Sequence, residues 1–213
     1  MKLYHEVAKK FAAKEGSERI ASEHALQGLE KRIRKGNINN ILEFGIGIGT
    51  IPYLISQIAK DEKRKINYYG TELNEFCLGK IKENIDTTDN EYFNFNVMSD
   101  VEELPSDFIA DLVIIDGDVS NYEKIKDILS EAAIIFIEGT RTIQQDAIKK
   151  VYPNALISTH ISLHKNPPYS PFPSTRYLGA FRTVYVNKSF NNTLNYWTDR
   201  LQTKIKYQLR KLQ

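Results

Sequence analysis

Cysteine is almost absent: Cys77 stands alone among 213 residues, which excludes an intrachain disulfide and a cysteine-built metal cluster. An excess of charge is missing too. Lys and Arg number 29 against 27 Asp and Glu, a net +2, and no run of like charge forms an acidic or basic tail. Composition therefore offers no evident surface for tracking the phosphates of a nucleic acid. Long apolar runs are also lacking: stretches such as AAIIFI (132–137) are too short to span a bilayer. The opening MKLYHEVAKKFAAKEGSER has neither the apolar segment nor the cleavage site of a signal peptide. These absences read as a soluble, cytoplasmic protein with no membrane partner, and the length suits one domain rather than two.

What is present alternates. Residues 4–35 are charged, with Leu26, Leu29 and Ile33 at helical spacing, and read as two leading helices before a turn at Gly36 and Asn37. Apolar, β-rich runs then follow one another: NILEFG, INYYGTEL, YFNFNVM, DLVIID, AIIFIEG, ALISTHIS and GAFRTVYV. Most of the early ones are separated by helix-like segments, TIPYLISQIAK, EFCLGKIKENI and VSNYEKIKDILSEA. Nearly unbroken apolar stretches in DLVIID and AIIFIE suit strands buried on both faces, as in a parallel sheet covered by helices. In the tail, Leu194, Trp197, Leu201, Ile205 and Leu209 form one helical stripe, expected to pack on the domain, with a homodimer contact as the alternative. The single domain thus divides into N-terminal helices (1–35), a core (36–188) and a C-terminal helix (189–213).

The first strand runs into ILEFGIGIGT, a loop that opens the first sheet helix, where backbone amides and a helix N-terminus can meet a ligand. A tight strand-to-helix turn would need its glycines in any case. Dinucleotide loops favour G-x-G-x-x-G, whereas this one reads Glu43-x-Gly45-x-Gly47-x-Gly49. A pyrophosphate has little use for that carboxylate, while a ligand with a free ammonium group does. Glu72 ends the second strand, where a carboxylate can take both ribose hydroxyls or simply face solvent. Asp100 ends the third, where it could read an exocyclic amine, with Met98 packed on an aromatic ring, or cap the next segment. Three acids at three successive strand ends describe a ligand with an amino-acid end, a ribose and an amino-purine.

With LEFGIGIGT, GTEL and VIIDGD in this order, residues 36–188 resemble the class I S-adenosylmethionine-dependent methyltransferases. The resemblance implies an α/β, Rossmann-like sheet of seven strands, mostly parallel with an antiparallel last strand and helices on both faces. It implies S-adenosylmethionine as cofactor, with Gly45 to Gly49 under its methionine end, Glu72 on the ribose with Leu73 beside it, and Ser99 or Asp100 near the adenine.

Chemistry is expected at the next strand ends. Asp116 and Asp118 close the fourth strand and Glu138 the fifth, so Asp116 and Glu138 could share a pocket and hold a hard cation, orient an amine or act as a base. VIIDGD is similar to the corresponding motif of catechol O-methyltransferase-like enzymes, in which the first Asp binds a divalent metal such as magnesium. Those enzymes carry Asp-Asn at the next strand end, where this chain has Glu138-Gly139. Asp116 ranks first as base, with Glu138 and His160 as the other candidates, His164 beside His160, and Arg141 as a cation for a substrate anion. NPPY (166–169) matches a motif of amino-methyltransferases but sits late in the chain, in a proline-rich loop whose Tyr169, Phe172 and Tyr177 could wall the acceptor site. The expected activity is methyl transfer to a small molecule, at oxygen first, with nitrogen and carbon open. The alternatives are N-methylation of nucleic acid or protein, and a non-catalytic cofactor-binding subunit.

Overall fold

The computed structural model describes residues 2–86 and 90–212. Two helices lead, α1 (Leu3–Ala12) and α2 (Glu23–Lys35), the latter capped by the Ser22 side chain. Then come β1 (Asn40–Phe44), α3 (Thr50–Glu62), β2 (Ile66–Thr71), α4 (Glu75–Asn84), β3 (Phe93–Met98), β4 (Ala110–Ile115), α5 (Tyr122–Ile128) and β5 (Leu129–Glu138). The chain closes with α6 (Thr142–Val151), β6 (Leu156–Ile161), β7 (Ala180–Tyr185) and α7 (Phe190–Arg210).

The seven strands form one sheet in the order β3-β2-β1-β4-β5-β7-β6. All neighbouring pairs are parallel except those of β7, which runs antiparallel to both β5 and β6. Period-two alternation divides the central strands between two cores. Ile41 and Ile114 face α1, α2 and α3, where Phe11, Leu26, Leu29 and Leu54 are fully buried. Leu42, Val113 and Ile135 face the opposite layer with Ile125 of α5 and Ile148 of α6. Strand β4 is thus covered on both sides, which explains its unbroken apolar run.

Two elements differ from expectation. Residues 129–132 extend β5 instead of α5: Leu129 pairs with Ala110 and Ile134 with Leu112, so the extra residues bulge out, and Asn187 holds the Glu131 carbonyl at 2.7 Å. The stripe of α7 does not pack on the sheet. The helix lies along the open edge of β6 with its polar side inward, and Leu194, Trp197, Leu201 and Ile205 are all more than half exposed. Among the described residues, no helix is long and apolar enough to cross a membrane.

Candidate functional site

At the carboxyl edge of the sheet, β1 passes into α3 through a loop whose Gly45, Gly47 and Gly49 have φ of +84°, +59° and +94°. Gly45 is further constrained by its neighbour, since a Cβ there would sit 2.6 Å from the Cα of Gly117 in the turn after β4. Four of the loop amides are already engaged. Gly45 N and Ile46 N donate to the Thr71 carbonyl at 3.1 Å, Gly49 N to the Ile46 carbonyl, and Gly47 N to Glu72 Oε2 at 2.8 Å. The other oxygen of Glu72 accepts from Leu73 N and Asn74 N, so this strand-end carboxylate ties the first loop to the start of α4. Ser99 and Asp100 end β3, their amides held by Glu103, while Asp100 Oδ1 accepts from Glu102 N and caps the 3₁₀ turn 101–103.

Opposite this arc, Asp116 and Glu138 emerge side by side, because Ile115 and Ile137 are register partners in β4 and β5. Arg141, at the entrance to α6, donates to Asp116 Oδ1 at 2.9 Å and lies 3.9 Å from Glu138. Glu138 also accepts from the Ser22 amide, at 3.2 Å, at the start of α2. Burial, then the nearby Glu138 and Glu43 charges, hold the Asp116 carboxyl well above the usual range despite Arg141. Burial likewise raises Glu138, against the opposing pull of the Ser22 amide and Arg141. Between the two sets of residues is a cleft of about 720 Å³. Among the described residues six acids line it (Glu18, Glu72, Asp100, Asp116, Asp118 and Glu138), with Arg19 and Arg141 as the cations.

This fold recurs among solved structures. The precorrin-6y C5,15-methyltransferase of Geobacter metallireducens matches with a TM-score of 0.58 and 12% identity, over 78% of this chain and 88% of its own. The O-methyltransferase TomG of Streptomyces achromogenes, involved in tomaymycin synthesis and solved with S-adenosylmethionine, matches with a TM-score of 0.53 and 11% identity, over 88% and 90%. The methyltransferase PaMTH1 of Podospora anserina, solved with S-adenosylhomocysteine, gives 0.51 and 12%, over 86% and 87%. The chain has the fold of these methyltransferases. No family model matches it and no curated protein matches it in sequence, so the likeness is one of fold.

Within that methyltransferase fold, Gly45, Gly47, Glu72, Leu73, Ser99, Asp100, Asp116 and Glu138 all line the cleft. Four expectations are corrected. Glu43 lies beneath the loop, fully buried, with Oε2 accepting from Tyr68 OH at 2.5 Å and Oε1 without a partner, so it faces no ligand amine in the cleft. Burial pushes its pKa up to about 8. Gly49 starts α3 and packs toward Ile85. Met98 is core. His160 is not at the cleft: its ring stacks on Phe181 at 4.3 Å, and its Nε2 lies 3.3 Å from Asp199 and 3.1 Å from Thr183.

The proline-rich loop lies between the end of β6 and the start of β7, and of its aromatics only Phe172 lines the cleft. Tyr169 turns away to donate to Glu23 at 2.5 Å, and Tyr177 lies under the Arg210 guanidinium at 3.8 Å. Asn166 of NPPY spends its amide on the Pro173 carbonyl. Asp118 does not cap the following helix, since Asn121 does. Conversely, Glu18, Arg19, Ile20 and Ser22 roof the cleft from the segment joining α1 to α2. Their only sequence signal is the helix break at Gly16 and Ser17.

A divalent ion does not fit the acid pair as arranged. Arg141 already occupies the position facing both carboxylates, and Glu138 is further committed to a backbone amide. Among the described residues no group of three or more His, Cys, Asp or Glu is disposed to hold a metal. The arrangement is instead a partly buried acid pair, electrostatically coupled, beside a guanidinium.

Proposed function

We propose that the chain is an S-adenosylmethionine-dependent methyltransferase acting at a hydroxyl group of a small molecule. The observation that carries this reading is the charge of the cleft. Six acids against two arginines favour a cationic ligand, which S-adenosylmethionine is through its sulfonium and ammonium groups, over the dianionic pyrophosphate of a dinucleotide. The internal use of the Gly45, Ile46, Gly47 and Gly49 amides supports the same choice, because a phosphate would claim them.

The residues fit that cofactor. Glu72 would hold the ribose hydroxyls, Gly45 and Gly47 leave room for the methionine end, and Ser99 and Asp100 border the adenine. When bound, it supplies an electrophilic methyl group on a positive sulfur. The protein has to place the acceptor oxygen in line with that methyl and remove the oxygen's proton. Asp116 is the base. A carboxylate raised toward neutrality by burial and by Glu138 takes a hydroxyl proton more readily than an ordinary one. Glu138, anchored by the Ser22 amide, adds its charge to the effect of burial in raising it. Arg141 holds Asp116 until the acceptor displaces it, and Phe172 with residues 18–22 covers the cleft against water.

The test is release of S-adenosylhomocysteine across a panel of small alcohols, phenols, amines and carbon acids. Turnover is expected with a hydroxyl acceptor, should survive exhaustive chelation, and should collapse in Asp116→Asn. Turnover that needs added magnesium, or confined to amines, would overturn this reading.

A further inference from the structure

Helix α7 is built inside out relative to an ordinary surface helix. Its polar side is occupied by the domain. Thr203 donates to the Thr159 carbonyl, Lys206 to Ile161 at 2.9 Å and Arg210 to Ser162 at 2.8 Å, so three side chains satisfy carbonyls along and just beyond edge strand β6. Asp199, the helix's only acid, points inward as well, accepting from Tyr185 OH at 2.6 Å and from Ser158 at 3.2 Å. These bonds fix the rotation of the helix and leave no freedom to turn its apolar side toward the sheet.

That apolar side is continuous from Phe190 to Ile205. Phe190, Leu194, Trp197, Leu201, Ile205 and Leu212 are between 51% and 83% exposed. Phe190 and Leu201 are eleven residues apart, as are Leu194 and Ile205, close to three whole turns, so the stripe runs straight along the helix instead of winding around it, and Leu212 follows just past the helix end. Six such side chains present on the order of 700 Å² of largely apolar surface, more than the largest patch of a typical monomer and close to the roughly 800 Å² per side of a stable interface. A straight ridge of this length on a rigidly held helix is a surface that a second, identical ridge can match.

The flanks select how it matches. Arg200, Lys204 and Lys211 lie along one side of the stripe, whereas Asn191, Thr198 and Gln202 lie along the other. Antiparallel pairing would set the cations against their own copies. Parallel pairing sets them against amides and a hydroxyl, which can accept their hydrogen bonds. We infer that the outward stripe of α7 is a homodimer interface, in which it packs side by side and parallel with α7 of a second copy about a two-fold axis along the helices.

Trp197, the chain's single tryptophan, lies on the stripe and reports on it directly. Sedimentation of the full chain at micromolar concentration should give twice 24.5 kDa, and dilution should shift the tryptophan emission to the red as the pair separates. The double variant Leu201→Glu and Ile205→Glu should weaken association at least tenfold with unchanged far-UV dichroism, since neither side chain is part of the core. Leu194→Cys should form a disulfide between copies, with Cys77 buried and silent. A monomer with solvent-exposed emission at every concentration overturns the proposal. So does a monomer whose emission moves to the blue only on anionic phosphatidylglycerol vesicles, which would make the ridge a lipid-binding face. A dimer that cross-links Leu194→Cys to Ile205→Cys but not Leu194→Cys to itself overturns the parallel pairing.

Discussion

Gly45 and Gly117 meet backbone to backbone: a Cβ on Gly117 would lie 2.8 Å from the Cα of Gly45. The glycine loop after β1 and the acid-bearing turn after β4 are therefore pressed together with no side chain between them. This contact fixes where Asp116 stands relative to the glycines.

Gly117→Ala should therefore act on the site and the fold at once. The added methyl meets main chain, which cannot swing aside, and overpacking of this kind costs about 1 to 3 kcal/mol. Urea titration should show that loss, and calorimetry should show weakened S-adenosylmethionine binding. Gly79, inside α4 with nothing within 4 Å of an added Cβ, provides the contrast: Gly79→Ala should raise stability by about 0.5 to 1 kcal/mol and leave binding unchanged.

Asp116 should set the acid limb of the rate profile. Its carboxyl is raised by burial and by Glu138, so kcat/KM should rise with pH through an apparent value above the usual carboxylate range, a value belonging to the Asp116–Glu138 pair. Asp116→Asn should lower kcat by roughly 10² to 10⁴, the usual contribution of a general base, and abolish that limb. Glu138→Gln should move the limb toward lower pH while leaving a measurable rate. A pH profile measured on each variant separates the two roles.

Glu43 makes a prediction about stability that does not involve the reaction. Its folded pKa, pushed up to about 8 by burial, lies above that of the unfolded chain, so between the two values the native state holds a proton that the unfolded state has released. Stability must then fall as pH rises through that window, by at most about 1.4 kcal/mol per pH unit from this group, and be fully retained below the unfolded value. Glu43→Gln keeps an acceptor for Tyr68 OH and removes the titration. Urea midpoints from pH 5 to 9 should show a flatter dependence in the variant.

Most strands could be read from sequence because apolar runs between helix-like segments leave few arrangements open. DLVIID is fully apolar over Leu112–Ile115 because β4 is covered on both faces. Helix α6 was not legible, since only Ile148 is buried and Ile143 is 81% exposed, which gives no periodicity to detect. The stripe on α7 was legible as a pattern but not in direction. Amphipathicity says that a helix has two faces; only the contacts of Thr203, Lys206 and Arg210 with β6 decide which one turns inward. The acids at strand ends followed from topology and line one cleft, apart from Glu43, whose position one residue before the end of β1 turns it under the loop toward Tyr68. The roof of residues 18–22 carried no motif and needed the path of the chain to be seen.

The proposed preference of the cleft for a cation is tested most directly by one titration. Isothermal calorimetry of the purified chain with S-adenosylmethionine, S-adenosylhomocysteine and NAD should show binding of the first two and none of NAD at comparable concentration. Glu72→Ala should weaken the binding by roughly 1 to 3 kcal/mol, the scale of a lost charge-assisted hydrogen-bond partner. Tight NAD binding with no heat from the sulfonium ligand would contradict this, because six acids and a loop with four of its amides already engaged would then be holding a pyrophosphate.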